Sequence, residues 1–269
     1  MMQAADSLGN VAMHTKEIVT EVDGGVLRIE IRRPEKKNAL NPSMCTALTA
    51  ALEAADQSAD VRVVLLHGQP DIFTSGADLQ NFLQNPAFDL DSPGYVFVRK
   101  ISQFSKPIVA AVNGACIGVG ATLLLHCDLV YVGESAVFAM PFVNLGLCPE
   151  AGSSLLFPLA AGHARAAEIL LLGESFGAKQ AAECGMVSRV LPDAEVLIHA
   201  TEQARKLAMK PPAAVRLTKE LMRRGFQAQV EDTLREEFDQ FGRRLESAEA
   251  KEAFSAFLEK RKPDFSKFD

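Results

Sequence analysis

The sequence predicts a mixed α/β fold with crossover connections. Three observations carry this: an alternating hairpin near the start, short apolar runs separated by helical patterns, and a last quarter that reads as almost wholly helical.

Glu17 to Val22 and Val26 to Arg32 flank Asp23-Gly24-Gly25, and in the second run Leu27, Ile29 and Ile31 alternate with Arg28, Glu30 and Arg32. That is a hairpin with one buried face. Asn41-Pro42 supplies a cap and a first-turn proline for a helix carrying Met44, Leu48, Ala51 and Leu52 to about Gln57. Val61 to Leu66 is a short apolar strand. A polar, Pro-containing stretch around Asn85 to Gly94 precedes a helix over Val96 to Phe104, and Ile108 to Val112 is a buried strand. Asn113-Gly114 and Ile117-Gly118-Val119-Gly120 lead into an apolar helix over Ala121 to Cys127. Leu129 to Val132 and Ala136 to Phe138 read as strands. Helices follow at Leu155 to Leu159, Ala164 to Leu172 and Gly177 to Glu183. In the C-terminal part, Val230, Leu234, Phe238, Phe241 and Leu245 recur at helical steps, and Phe254, Phe257 and Leu258 repeat the pattern after a Ser247 cap. Their stripe should pack on the core or on a neighbouring subunit.

With 269 residues, 48% of them hydrophobic, the chain can build one sizeable core with an appendage. Residues 1–15 read as a flexible tail, 16–200 as a core and 201–269 as a C-terminal helical region. No apolar run reaches the roughly 18 residues that span a bilayer, and the first fifteen residues do not resemble a secretory signal. Five scattered cysteines, Cys45, Cys116, Cys127, Cys148 and Cys184, argue against a disulfide framework and for a reducing, cytoplasmic setting. They offer no metal-ligand spacing, so no metal is assigned. A net charge of −6 argues against nucleic acid and anionic membranes as partners. From Thr201 onward, 15 Lys and Arg face 13 Asp and Glu, an excess that could meet phosphates or solvate helices.

Four segments, in this order and spacing, resemble the crotonase superfamily, the enoyl-CoA hydratase/isomerase family. They are Arg33-Pro34-Glu35-Lys36-Lys37-Asn38-Ala39-Leu40, Phe73-Thr74-Ser75-Gly76-Ala77-Asp78-Leu79, Lys106 to Gly114 with its glycine continuation, and Phe254 to Pro263. The resemblance implies a crotonase-like spiral of strand-strand-helix units with a C-terminal helical region, assembled as a homotrimer or a dimer of trimers. It implies an acyl-CoA thioester as substrate, with coenzyme A part of that substrate and no separate cofactor. It further implies that the backbone N–H groups of Ala77 and Val119 form an oxyanion hole. Backbone donors suit that task because the fold fixes their direction before charge develops. The loop from Thr74 through Ser75, Gly76 and Asp78 to Leu79, together with Gly118, would then line the ligand, with the adenine end of CoA near it. Val119 stands where the family usually has glycine.

The two glutamates of family hydratases are absent, because the corresponding positions hold Thr122 and Phe142. Pro141 to Ser154 instead resembles the Δ3,Δ2-enoyl-CoA isomerases of the peroxisomal type, whose single catalytic glutamate corresponds to Glu150. One carboxylate suffices for a 1,3-proton shift: it takes a proton from C2 and returns it at C4. Phe142, Val143 and Leu147 would dry the pocket and raise the proton affinity of a nearby carboxyl. Asp78 either caps the helix beginning near Leu79 or faces the ligand. Asn144 either orients substrate or makes a turn. Lys260 and Lys262 either reach CoA phosphates, within or across subunits, or are solvated. His67 and His126 read as core histidines. Competing readings are hydration, dienoyl-CoA isomerisation, and a non-catalytic acyl-CoA binder. Gly118-Val119-Gly120 also half-matches a dinucleotide fingerprint, with Leu123 where the third glycine should be.

Overall fold

The computed structural model describes residues 16–80 and 90–268. The expected tail over 1–15 and part of the polar stretch near Asn85 lie outside the described residues.

Among the described residues, ten strands form two sheets. The larger has the order β1 (Ile18–Asp23), β2 (Val26–Ile31), β3 (Val63–His67), β5 (Ile108–Val112), β7 (Leu129–Gly133), β10 (Arg189–Leu191). The smaller runs β4 (Ile72–Thr74), β6 (Ala115–Ile117), β8 (Val137–Ala139), β9 (Ser175–Gly177). The hairpin β1–β2 is antiparallel, with Thr20 opposite Ile29, whereas β2, β3, β5, β7 and β10 are all parallel. In the small sheet β4, β6 and β8 are parallel and β9 is antiparallel. Each circuit of the chain therefore lays one strand in each sheet: β3 then β4, β5 then β6, β7 then β8. This is the strand-strand-helix spiral that the resemblance implies.

The fully described helices are α1 (Pro42–Gln57), α2 (Pro93–Ser102), α3 (Val119–Thr122), α4 (Ser153–Ala161), α5 (His163–Leu172), α6 (Ala178–Glu183), α7 (Val196–Ala208), α8 (Pro212–Arg223), α9 (Gln227–Leu245) and α10 (Ala248–Glu259). Helix α1 starts as its sequence requires, with the Asn41 side chain accepting the Met44 N–H at 2.8 Å and Pro42 in the first turn. Its far end is closed by Lys106, whose ammonium donates to the carbonyls of Ala55, Ser58 and Val61. Ser247 caps α10 through the Ala250 N–H.

Every residue of β3 is buried, as expected for a parallel strand covered on both faces. Val64 and Leu66 join the main core with α1 and α2, while Val63 and Leu65 meet Val196, Ala200, Ala204 and Ala208 of α7. That small-residue row lets α7 lie against the outer face of the sheet. His67 and His126 are buried at 6% and 3% exposure, in agreement with their reading as core histidines.

Two expectations need correction. The apolar helix over Ala121 to Cys127 is instead the single α-turn α3 followed by a 3-10 turn over Leu123–His126. The helix placed at Val96 to Phe104 begins at Pro93 and ends at Ser102. Within the last stripe Phe254 packs on the core, while Phe257 and Leu258 are 60% and 53% exposed on the single chain. No helix among the described residues is long and apolar enough to cross a membrane.

Candidate active site

The first site loop leaves β4 at Thr74 and is set by residues that precede α1. Asn38 is fully buried; its amide donates to the Ile31 and Phe73 carbonyls at 3.0 and 3.1 Å, and its carbonyl oxygen accepts the Arg33 N–H at 2.6 Å. The Thr74 hydroxyl donates to the Asn38 main-chain oxygen at 2.7 Å and accepts the Gly76 N–H at 3.1 Å. Leu40 then pairs with the loop in parallel register, its N–H donating to Gly76 O and its carbonyl accepting the Asp78 N–H. A parallel bridge of this kind uses the residues on either side of Ala77. The N–H of Ala77 consequently points away from Leu40.

The second loop joins β6 to α3. Gly118 is tied by its N–H to Ala139 O at 2.8 Å, and its own carbonyl accepts from Ala121 and Thr122. Val119 is the first residue of α3, so its N–H is one of the donors that a helix start leaves without an intrahelical acceptor. The two loops touch through glycines. A Cβ at Gly76, where φ is +93°, would lie 2.8 Å from Ile117 O, and one at Gly120 would overlap the Thr74 methyl. Only bare backbone allows this approach.

Glu150 is brought to the same place. Thr122, at the end of α3, donates its hydroxyl to Glu150 Oε1 at 2.5 Å. Three residues of helix, about 4.5 Å of rise, separate Val119 from Thr122. The N–H of Val119 and the hydroxyl that holds the acid therefore sit on one short element. The Glu150 carboxyl is enclosed by protein, with a small part of the residue still open to solvent. Burial pushes its pKa up to about 8; the nearby Glu237 carboxyl adds to the rise, and the Thr122 hydroxyl opposes it. A carboxyl in this range exchanges protons readily near neutrality.

A family model described as Enoyl-CoA hydratase/isomerase matches residues 21–267. The chain belongs to this family. An Escherichia coli (strain K12) relative named 2,3-dehydroadipyl-CoA hydratase is 34% identical over 250 residues, spanning 93% of this chain and 98% of that protein. A Rattus norvegicus relative named enoyl-CoA delta isomerase 2 is also 34% identical, over 258 residues that span 94% of this chain and 66% of that protein. The solved structure of Pseudomonas aeruginosa OdaA aligns with a TM-score of 0.89 at 46% identity, covering 91% of this chain and 99% of that one. Names of hydration and of isomerisation thus occur at equal identity within the enoyl-CoA hydratase/isomerase family, and the site must be read for itself.

Of the residues expected to meet ligand, Ala77, Gly118, Val119 and Glu150 are gathered at the junction of the two loops. Thr74 is fully buried, and its hydroxyl is committed to Asn38 and Gly76. Ser75 and Leu79 are half-buried, Ser75 holding Lys37 O through its N–H and Leu79 packing on the core. Asp78 is engaged twice, accepting from the Gln80 N–H at 3.2 Å and from Arg33 at 2.9 Å. That is the capping arrangement, reinforced by an ion pair. Phe142 is buried at 5% exposure. Asn144 donates its amide to Gly173 O at 3.0 Å, tying the 3-10 turn over Val143–Leu145 to the end of α5. Lys260 and Lys262 stand exposed just past α10.

Two residues that shape the site escape a reading of sequence. Thr122 stands out there only as a missing glutamate, yet it holds Glu150. Glu237 is buried at 6% exposure and accepts the N–H groups of Gly152 and Ser154, just past Glu150. A signal for Glu237 exists: it falls three residues after Leu234 and seven after Val230, a stripe position where an apolar residue belongs.

Proposed function

We propose that the chain moves the double bond of a 3-enoyl-CoA to the 2-position, with Glu150 as the only acid–base group. Glu150 takes a proton from C2, and the C–H electron pair delocalises toward the thioester oxygen. The Ala77 and Val119 N–H groups hold the resulting negative charge. The protonated Glu150 then returns the proton at C4, leaving the double bond between C2 and C3. No atom is gained or lost, so no water need be activated.

The observation that carries the reading is the Thr122–Glu150 hydrogen bond. It places one buried carboxyl beside α3, while the hydroxyl at the first hydratase position is committed to that carboxyl and the second hydratase position is the buried Phe142. Hydration remains the competing chemistry, because a hydratase-named relative is 34% identical. We propose as well that the chain assembles as a homotrimer or dimer of trimers in the cytoplasm. Support for assembly comes from apolar side chains left in the open on the C-terminal helices, Leu217, Leu221 and Met222 of α8 being 51–64% exposed.

The test is incubation with 3-enoyl-CoA and 2-enoyl-CoA esters, following conjugation by ultraviolet absorbance and water addition by mass. Isomerisation without hydration is expected, and Glu150→Gln should lower its rate by about 10²–10⁴-fold. A wild-type protein that hydrates efficiently and does not isomerise would overturn the proposal.

A further inference from the structure

We propose that Glu237 is a positioning residue for Glu150, holding the turn that aims the catalytic carboxyl from a helix 85 residues further along the chain. The inference rests on Glu150 being the base.

The turn has an unusual backbone. Ala151 and Gly152 are both left-handed, with φ of +60° and +72°, and for alanine that conformation is disfavoured by about 1 kcal/mol or more. Something must hold it. Glu237 Oε2 accepts the Gly152 N–H at 2.6 Å and Oε1 accepts the Ser154 N–H at 2.8 Å, so both oxygens clamp the two sides of the turn. The Ala151 carbonyl is held from behind at 2.8 Å by His126 Nε2, and the Glu150 carbonyl by the Ser153 hydroxyl at 2.6 Å. Every one of these bonds is to main chain. None engages the Glu150 carboxyl, whose bond is to Thr122.

The clamp also has an electrical consequence. The titratable groups around Glu150 are Glu237 from α9, the Cys45 thiol from α1, Cys148 on the same loop, and His126 behind Ala151, with Arg223 bonded to the His126 carbonyl. Burial drives the two thiols up to about 12 and about 11 and His126 down to about 4, so all three are neutral near pH 7. Glu237 is itself raised by burial, but its two backbone N–H donors favour its ionised form. Of the two carboxyls it is the one equipped to hold negative charge first. That charge makes Glu150 a stronger base than burial alone would.

The experiment compares Glu237→Gln and Glu237→Asp with wild type, in the full-length protein, by pH profiles of kcat and KM for 3-enoyl-CoA isomerisation. Glu237→Gln keeps the size, removes the charge and turns one acceptor into a donor facing an N–H. The expected result is a fall in kcat of about 10²-fold, the scale for a misplaced catalytic group, with KM little changed and the acid limb moved to lower pH. Glu237→Asp retains the charge and should keep the limb near its wild-type position while recovering part of kcat. A folded Glu237→Gln variant with wild-type kcat and an unmoved limb overturns the proposal. So does a kcat loss shared equally by both variants with the limb unmoved, which is what loss of packing alone would give. Should Glu237→Gln fail to fold, a folded Glu237→Asp variant with full kcat is equally fatal, since the shorter side chain cannot reach both N–H groups. Glu150→Gln run alongside separates the two readings: full activity there removes Glu150 as the base, whatever Glu237 does.

Discussion

Replacing Glu150 by Gln should make the folded chain more stable as well as inactive, and the gain should grow with pH. The side chain has its proton affinity raised from the ordinary 4.5 to about 8, mainly by burial. An acid that holds its proton more tightly folded than unfolded favours the native state while protonated; that advantage, full below about pH 4.5, is lost as pH rises through about 8. Gln does not titrate and still offers an oxygen to the Thr122 hydroxyl. At 1.36 kcal/mol per pH unit the ceiling on the difference is about 5 kcal/mol. Local relaxation and water entry reduce such penalties, so about 2 kcal/mol is a realistic gain at pH 8. Thermal unfolding of both proteins from pH 5 to 9 measures it, at about 2–4 °C per kcal/mol for a chain somewhat smaller than this one. The two melting curves should nearly coincide at pH 5, separate up to pH 8 and run parallel above. A Gln variant that melts below wild type at pH 8, or a difference independent of pH, would refute the burial argument.

Two further outcomes are expected. Asn38→Ala strands the Arg33 N–H and the Ile31 and Phe73 carbonyls, so stability should fall by about 2–4 kcal/mol in denaturant titration and isomerisation should fall with it; an unchanged midpoint would show that water replaces these bonds. Phe257→Ser combined with Leu258→Ser, at positions 60% and 53% exposed, should shift light scattering toward smaller species while leaving the monomer fold intact.

The parts of the fold legible in the sequence are those whose signals are local. Asn41-Pro42 and the apolar spacing after it place α1 over Pro42–Gln57, and five consecutive apolar residues place β5 over Ile108–Val112. Of the small sheet only β8 is legible, as Ala136 to Phe138; β4, β6 and β9 are three residues long, too short for alternation to be visible. The run after Gly120 reads as one helix because most of its residues are apolar and no Gly or Pro interrupts it, but the chain tightens at Leu123 into a 3-10 turn. Within the site, Glu150 and the two glycine loops were found by resemblance. Whether a polar side chain faces ligand or backbone was not legible: Thr74 and Asn144 both turn to carbonyl groups of their own chain. Such bonds join segments distant in sequence, and nothing at either end announces the other.

The tie made by Asn38 bears on how such a framework changes its chemistry. The bonds that shape the first loop come from Asn38, Thr74 and Leu40, and those that shape the Glu150 turn come from Glu237, His126 and Ser153. These partners grip main chain, so the loops keep their course whatever side chains the pocket displays. The side chains of Thr122 and Phe142 take no part in those bonds. Side chains on this frame are exchangeable where they take no part in holding Glu150, and a redesign that swaps only Val119 begins from an intact cradle.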